Sequence, residues 1–112
     1  MNSIVIDSKL QTRLPITPKQ LTEFCQRWQI AELALFGSIL RDDFHPDSDI
    51  DLLVSYQPTA KRGLFEKMRM KAEIESLLDR EVDLVSKTAI QQSKNWLRRQ
   101  NILTTAEIIY VA

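Results

Sequence analysis

One run between Phe36 and Val54 constrains the chain more than any other, because it joins a Gly-Ser pair to an Asp-x-Asp pair at a fixed interval. The apolar residues from Leu33 to Phe36 predict a buried strand. Gly37 ends that strand, since a residue without a Cβ lets the backbone turn sharply and lets a ligand approach closely. A short helix is expected next, with Ser38 as its cap, and the serine hydroxyl and the free amides would face an anion. The first half of the run therefore predicts a phosphate-binding turn.

The second half of the run, from Asp49 to Val54, predicts a strand that begins with two acids. Side chains on a strand alternate between its two faces, so Asp49 and Asp51 point the same way while Ile50 points into the core. Two partly desolvated carboxylates a few ångströms apart repel each other unless a cation lies between them. Mg²⁺ suits that geometry. The run thus indicates a site for phosphate and metal; the alternative is an ordinary turn followed by two surface acids.

Asp83 is a third acid of interest, because it interrupts the apolar segment Val82-Asp83-Leu84-Val85, which predicts another strand. A charge in such a strand is costly unless it is paired, lies at an edge, or binds a metal. A salt bridge to Arg80 or Lys87 is the structural interpretation. Glu81 lies two residues earlier on the same strand face and would replace Asp83 if the register were shifted. A catalytic role and a structural role both remain open on the residues alone.

The length of 112 residues predicts a single small domain spanning 1–112, in which residues 1–16 form an N-terminal arm of unassigned role. Acids and bases are equal in number, 15 of each, so strong binding to nucleic acid is not expected. We expect no membrane span and see no signal peptide. The one cysteine, Cys25, allows no intrachain disulfide and fits a reducing compartment. A cytoplasmic location is predicted.

Two helices are indicated before and after the acidic strand. The first begins after Thr17, which suits an N-cap followed by Pro18, and its apolar stripe makes Cys25 a core residue rather than a nucleophile. The second runs from Leu64 to Asp79 between two apolar strands, which indicates a crossover connection. The predicted fold class is therefore α/β (α+β), a small mixed β-sheet flanked by helices. The expected buried stripes are Leu21, Phe24, Cys25 and Trp28 on the first helix, and Leu64, Phe65, Met68, Ala72, Ile74, Leu77 and Leu78 on the second.

The remaining segments carry weaker signals. Ile4-Val5-Ile6 predicts either a short strand or an arm that packs on a partner, and the segment from Ala106 to Ala112 predicts a final strand. His45 has no ligand-spaced partner and is taken as a surface residue. Thr88 to Gln100 opens as a capped helix whose basic and aromatic residues form either a surface for a nucleotide or partner, or a solvated helix face. Those residues are Lys94, Trp96, Arg98 and Arg99.

The motif Gly37-Ser38, the ten residues 39–48, and Asp49-Ile50-Asp51 together resemble the signature of the DNA polymerase beta-like nucleotidyltransferase superfamily. Arg41 and the segment Ser48-Asp49-Ile50-Asp51-Leu52 are similar to the minimal nucleotidyltransferases, the MNT proteins of prokaryotic HEPN/MNT pairs. The resemblance extends from about Leu33 to the end of the chain and implies the polymerase beta-like fold. Asp42 stands where many relatives have glycine, which makes this loop more acidic.

The resemblance implies roles for each site residue. Asp49, Asp51 and Asp83 would be catalytic metal ligands for two Mg²⁺ ions, with Asp83 also helping to accept the proton of the acceptor hydroxyl. The nucleotide, expected to be ATP, would be bound by Gly37, Ser38, Arg41 and Ser48. For Arg41, a helix salt bridge with one of the acids Asp42, Asp43 or Asp47 is the alternative.

A chain this short offers little protein to enclose a second substrate, so the acceptor is expected to be a macromolecule. The resemblance implies an antitoxin that transfers AMP from ATP to a hydroxyl, expected to be a tyrosine hydroxyl, of a HEPN-domain ribonuclease toxin and thereby neutralises it. One alternative is an antitoxin that acts only by binding. Another is a small-molecule nucleotidyltransferase, which would need a cleft between subunits. Either a homo-oligomer or a hetero-oligomer is compatible with the sequence.

Overall fold

The computed structural model describes residues 3–4, 6, 8–61 and 63–112. The chain begins with β1 (Ser3–Ile4), α1 (Ser8–Arg13), α2 (Pro18–Arg27) and β2 (Ile30–Phe36), followed by a 3₁₀ helix (Gly37–Leu40), β3 (Ile50–Tyr56), α3 (Leu64–Leu78), β4 (Val82–Ser86), α4 (Lys87–Gln91), α5 (Trp96–Thr105) and β5 (Glu107–Val111). None of these helices combines the length and apolar character needed to cross a bilayer.

The strands form one sheet in the order β1-β5-β2-β3-β4. β3 and β4 pair in parallel, joined by the crossover helix α3, and the other neighbouring strands pair antiparallel. The predicted mixed sheet flanked by helices is therefore confirmed. The expected final strand is β5. Of the expected strand Ile4-Val5-Ile6, the structure places Ile4 in β1, while Val5 lies outside the described residues.

The sheet has two unequal faces, because the period of two along each strand sends alternate residues to opposite sides. We call the larger one the core face. There, Ile50, Leu52 and Val54 of β3 join a cluster that includes buried residues of α1, α2 and α3. The other is the site face, where Leu53 of β3 belongs to a small cluster with residues of β2, α4 and α5. The buried members of that cluster are Ala34, Phe36, Leu53, Ile90 and Ile102.

Helix α2 forms as its sequence predicts. The Thr17 side chain accepts a hydrogen bond from the Gln20 amide, and the Gln20 side chain accepts one from the Thr17 amide, so the two residues form a capping box. Leu21, Phe24 and Cys25 are buried, as expected. Burial raises the pKa of the Cys25 thiol to about 12, so the thiolate is scarce at neutral pH. Cys25 is thus an unreactive core residue.

The buried face of α3 agrees with the expected one only in part. Leu64, Phe65 and Met68 were expected to face the core, but they are 76%, 69% and 62% exposed, and Ala72 is exposed as well. Of the expected residues, Ile74 and Leu78 are buried, and Met70, which was not expected, joins them. Two apolar stripes on one helix compete for the same sheet, and composition alone does not show which one the crossover turns inward.

The expected helix from Thr88 to Gln100 is two helices. α4 ends at Gln91, and α5 begins at Trp96 with Asn95 as its N-cap, whose side chain accepts a hydrogen bond from the Arg98 amide. Asparagine competes with helical hydrogen bonding inside a helix but is favoured at an N-cap. The break between the helices lets α5 lie against the site face, where Ile102 is buried.

Candidate active site

The Gly-Ser turn lies directly against one of the acids. Gly37 has a φ of +79°, a conformation that L side chains rarely adopt. A Cβ added to Gly37 would lie 2.1 Å from Oδ2 of Asp51, which is far closer than non-bonded atoms approach. Glycine is therefore required here for two reasons, the backbone conformation and the space that the Asp51 carboxylate fills.

Ser38 is not the helix cap that the sequence suggested. The helix that follows β2 is a 3₁₀ helix of four residues, and its N-cap position is held by Phe36, which makes no side-chain cap hydrogen bond. Ser38 is the second residue of that helix. The helix therefore begins at Gly37, two residues earlier than expected. A helix this short contributes little dipole, so any anion binding here depends on the amides and hydroxyl of the turn itself.

The three acids lie at one end of two neighbouring strands. Asp49 is exposed and immediately precedes β3, whereas Asp51 is half-buried within it. The parallel register pairs Asp51 with Asp83 of β4, which places both side chains on the site face. This register selects Asp83 rather than Glu81 as the acid opposite Asp51.

The acids interact electrostatically. Burial raises the pKa of the Asp51 carboxyl, and the negative charges of Asp83 and Asp49 raise it further. The positive charges of Arg41 and Arg98 lower the pKa of Asp51, but the net shift is upward. The folded protein therefore holds Asp51 where a negative charge is disfavoured, and a bound cation would relieve that repulsion.

The two expected salt-bridge partners of Asp83 are engaged elsewhere. Arg80 Nη1 donates hydrogen bonds to the carbonyl oxygens of His45 at 3.1 Å and Ser48 at 2.8 Å. Lys87 Nζ lies 3.1 Å from Glu32 Oε1. The structural interpretation of Asp83 as half of either ion pair is therefore wrong, and its position opposite Asp51 is what distinguishes it.

Two arginines hold the loop between the Gly37 turn and β3 in place, and this role was not predicted from the sequence. The guanidinium groups of Arg13 and Arg80 lie 5.3 and 4.4 Å from the centre of the Phe44 ring. Arg13 Nη1 also donates to the carbonyl oxygens of Ile39 and Arg41. These contacts join α1 and the turn after α3 to the loop that precedes Asp49. No local sequence pattern predicts these contacts, because the residues that form them are far apart in the sequence.

Two of the predicted nucleotide-binding residues have partners within this loop. Arg41 Nε forms an exposed salt bridge with Asp43 at 3.1 Å, one of the alternatives that the sequence allowed. Such exposed pairs contribute little stability, so Arg41 can exchange partners. Ser48 Oγ accepts a hydrogen bond from the His45 amide at 3.1 Å. The structure thus shows Ser48 shaping the turn before Asp49.

The donor set fits Mg²⁺ as a partly formed site. Among the described residues, no three His, Cys, Asp or Glu side chains form a preassembled metal cage. Mg²⁺ seldom needs one, because it takes one or two carboxylates from the protein and completes its shell with water and substrate phosphates. The hard carboxylate oxygens of Asp49, Asp51 and Asp83, and the raised pKa of Asp51, both suit such an ion.

The chain belongs to a known family. Residues 18–109 match the family model described as the nucleotidyltransferase domain, a range that contains every predicted site residue. The chain is therefore a nucleotidyltransferase. It is also homologous to the MntA proteins: the protein adenylyltransferase MntA of Thermococcus cleftensis is 31% identical over 91 residues, which are 80% of this chain and 82% of MntA.

Solved structures share this fold. A protein provisionally named a minimal nucleotidyltransferase is 32% identical and has a TM-score of 0.58. The match covers 81% of this chain and 85% of that protein. A toxin-antitoxin structure with AMP-PNP shares the fold, with a TM-score of 0.60 at 22% identity, over 79% of this chain and 68% of the other. A toxin-antitoxin structure with mutant MntA also shares the fold, with a TM-score of 0.60 at 19% identity, over 83% of this chain and 71% of the other. In that mutant, two aspartates two positions apart are changed to glutamate.

Proposed function

We propose that this chain is an antitoxin that transfers AMP from ATP, with Mg²⁺, to a tyrosine hydroxyl of a HEPN-domain toxin and so neutralises it. The observation that carries the proposal is the parallel register that sets Asp51 opposite Asp83, with Asp49 alongside and the Gly37 turn against Asp51. The support from relatives is that MntA is a protein adenylyltransferase and that related chains are found in toxin-antitoxin structures, one of them with AMP-PNP.

In this proposal the three acids would hold the metal ions. Bound Mg²⁺ would supply charge stabilisation for the phosphates and for the attacking and leaving oxygens. Asp49, immediately before β3, and Asp51, within β3, would hold the ions, and Asp83 of β4 would hold one of them. The Asp83 carboxylate also helps to accept the proton that leaves the acceptor hydroxyl. The new bond joins that oxygen to the α-phosphorus of ATP, and pyrophosphate leaves.

The turn and the loop position the nucleotide. The amides of Gly37 and Ser38 and the Ser38 hydroxyl would bind phosphate oxygens, and Arg41 would do so after releasing Asp43. Ser48 is the fourth proposed nucleotide-binding residue. Its hydroxyl also accepts from the His45 amide, so its contribution includes holding the loop in place. Positioning of this kind, together with electrostatic stabilisation, supplies most of the catalysis in phosphoryl transfer.

Neutralisation follows from the charge and bulk of the added group. An AMP group attached to a surface tyrosine introduces a negatively charged phosphate. Near a ribonuclease site, that charge opposes the phosphate-rich RNA substrate through like-charge repulsion. The effect needs no large interface, which suits a chain of 112 residues.

The test is to incubate the chain with Mg-ATP and the HEPN-domain protein encoded by a neighbouring gene, and to measure the intact mass of that protein. We expect the mass of one or more AMP groups to be added, with fragmentation placing them on tyrosine. Chelation of Mg²⁺ should stop the reaction. The double variant Asp49→Ala/Asp51→Ala should lose at least about a thousandfold of the rate, since removing metal ligands costs several kcal/mol of transition-state stabilisation.

Asp47→Ala is the matched control, because it removes an exposed acid two residues from Asp49 in the same loop. It should retain most of the activity. Inhibition of the toxin by wild-type chain with no added mass would replace the proposal with an antitoxin that acts by binding alone. Full activity in the double variant would remove the acids from the mechanism.

A further inference from the structure

Arg98 lies on the helix surface that faces the site. Ile102 is one turn further along α5, and its buried side chain packs in the site-face cluster with Phe36 and Leu53. Residues four apart on a helix share a face, so Arg98 projects from the same side of α5 as Ile102. The burial of Ile102 thus places Arg98 on the side of α5 that packs on the site face.

The sheet register shows which residues lie near Arg98. Phe36, which packs with Ile102, is paired across the sheet with Asp51. Arg98, whose Cβ lies about 5–6 Å from that of Ile102 on the same side of α5, is therefore near this pair of residues. In agreement, the positive charge of Arg98 acts on the Asp51 carboxylate.

Other arginines near the loop or on α5 have their guanidinium groups engaged. Arg80 binds two loop carbonyls, and Arg41 pairs with Asp43. Arg99, next to Arg98 in sequence, donates from Nη1 to the carbonyl oxygen of Ser93 at 2.8 Å. Within the described residues, Arg98 forms no salt bridge of this kind, and it is exposed. Its charge is available to a ligand.

The two sides of the acid cluster differ in charge. Beside Asp49 lies an open pocket of about 330 Å³ with four acids and one arginine in its lining, and that arginine, Arg80, is already bound to carbonyl groups. A triphosphate would be repelled there. The side with Arg98 and the Gly37 turn offers amides and a free guanidinium instead.

We propose that Arg98 is a further nucleotide-binding residue, whose guanidinium binds the phosphates beyond the α-phosphate of ATP. This inference rests on the proposed function, since it takes ATP as the substrate. The planar guanidinium can donate two parallel hydrogen bonds to one phosphate group, and its charge offsets the acids that surround the metal site. Because pyrophosphate leaves in the reaction, Arg98 also stabilises the charge that accumulates on the leaving group.

The test uses calorimetry to measure the affinity of the chain for three ligands: Mg-AMP-PNP, Mg-ADP and metal-free AMP. The measurements compare wild type with Arg98→Gln and Arg98→Lys. Arg98→Gln should weaken AMP-PNP binding on the order of tenfold to a hundredfold, the usual range for a lost charged hydrogen bond. AMP binding should change little, and ADP should lie between the two. Arg98→Lys should recover part of the loss, since it keeps the charge but not the planar fork.

Arg99→Gln is the matched control, because it removes the neighbouring guanidinium, which binds Ser93. It should bind AMP-PNP as wild type does, with at most a lower Tm. An unchanged affinity for AMP-PNP in Arg98→Gln, or an equal loss for AMP and AMP-PNP, would overturn the role of Arg98 alone. Failure of wild-type chain to bind AMP-PNP at all would overturn the proposed function and the role of Arg98 with it.

Discussion

The two faces of the sheet contrast in how much protein covers them. On the core face, β3 contributes Ile50, Leu52 and Val54, none more than 1% exposed. They join a cluster that includes residues of three α-helices, the 3₁₀ helix and four strands. On the site face, the same strand contributes Asp51 and Leu53, and among the described residues five buried ones form the apolar cluster. Stability is thus concentrated on one face, and the other is left open at the end where the acids lie.

This division shows how one short strand serves two purposes. Apolar burial supplies most of the folding free energy, in proportion to the area removed from water. Polar groups that are to bind a metal and a nucleotide must stay accessible, and their mutual repulsion reduces stability. Alternation along β3 lets Ile50 and Leu52 stabilise the sheet while Asp51, between them, faces the ligand site. Apolar burial on the core face therefore offsets the charge repulsion among the acids on the site face.

The largest expected effect in this comparison comes from matched isoleucine truncations on the two faces. Ile74→Ala on the core face, where Ile74 is 1% exposed, should lower the free energy of unfolding by about 3–4 kcal/mol. Ile102→Ala on the site face, at 6% exposure in the smaller cluster, should cost about 2 kcal/mol. Urea unfolding monitored by circular dichroism measures both. Equal losses would break the contrast between the faces.

A smaller effect is expected at Gly37, where the site face meets the end of β2. Gly37→Ala should lower the free energy of unfolding by about 1–3 kcal/mol, because alanine is strained at a φ of +79° and its Cβ collides with the Asp51 carboxylate. Nucleotidyl transfer should fall with it, since the carboxylate must move. Tm and turnover measured on the same preparation would separate the two losses.

The chain offers a matched control in its second glycine. Gly63 has a φ of −71°, and a Cβ there would meet only the end of the flexible Glu66 side chain. Gly63→Ala should therefore leave activity unchanged and stability nearly so. If Gly37→Ala were equally harmless, the close contact between the turn and Asp51 would not matter to the site.

Much of this contrast could be predicted from local sequence. The β3 and β4 segments, the Thr17 cap and the Gly37 turn depend on residues adjacent in the chain, whose propensities and spacing carry the signal. The three acids were predicted for the same reason. Their convergence depends on the parallel register, which the crossover helix α3 allows but does not specify by itself.

The parts that sequence could not predict depend on distant contacts. The exposure of Leu64, Phe65 and Met68 follows from which stripe of α3 meets the sheet. The clamp of Arg13 and Arg80 on Phe44 joins segments that are far apart in the chain. The sequence offered no sign of either, because each is decided only when the helices dock.

The smallest expected effect is a gain in stability from removing Asp51. Its carboxyl has a pKa above the ordinary value of 3.8, because burial and the charges of Asp83 and Asp49 disfavour the anion. Between 3.8 and the raised folded-state pKa, the folded state binds more protons than the unfolded state, so stability falls as the pH rises through that window. Asp51→Asn abolishes this loss. In metal-free buffer at pH 7 its Tm should exceed that of wild type by on the order of a degree or two.

The pH dependence and the metal dependence distinguish this cause from a general packing effect. The gain of Asp51→Asn should shrink as the pH falls and vanish below about 3.8, where the carboxyl is protonated in both states. Added Mg²⁺ should raise the Tm of wild type but not of the variant, because a ligand that binds only the folded state stabilises it. Asp47→Asn, an exposed acid outside the cluster, should show neither response. A Tm for Asp51→Asn below that of wild type at pH 7 without metal would mean that the acids do not repel one another, and the site face would then cost the fold nothing.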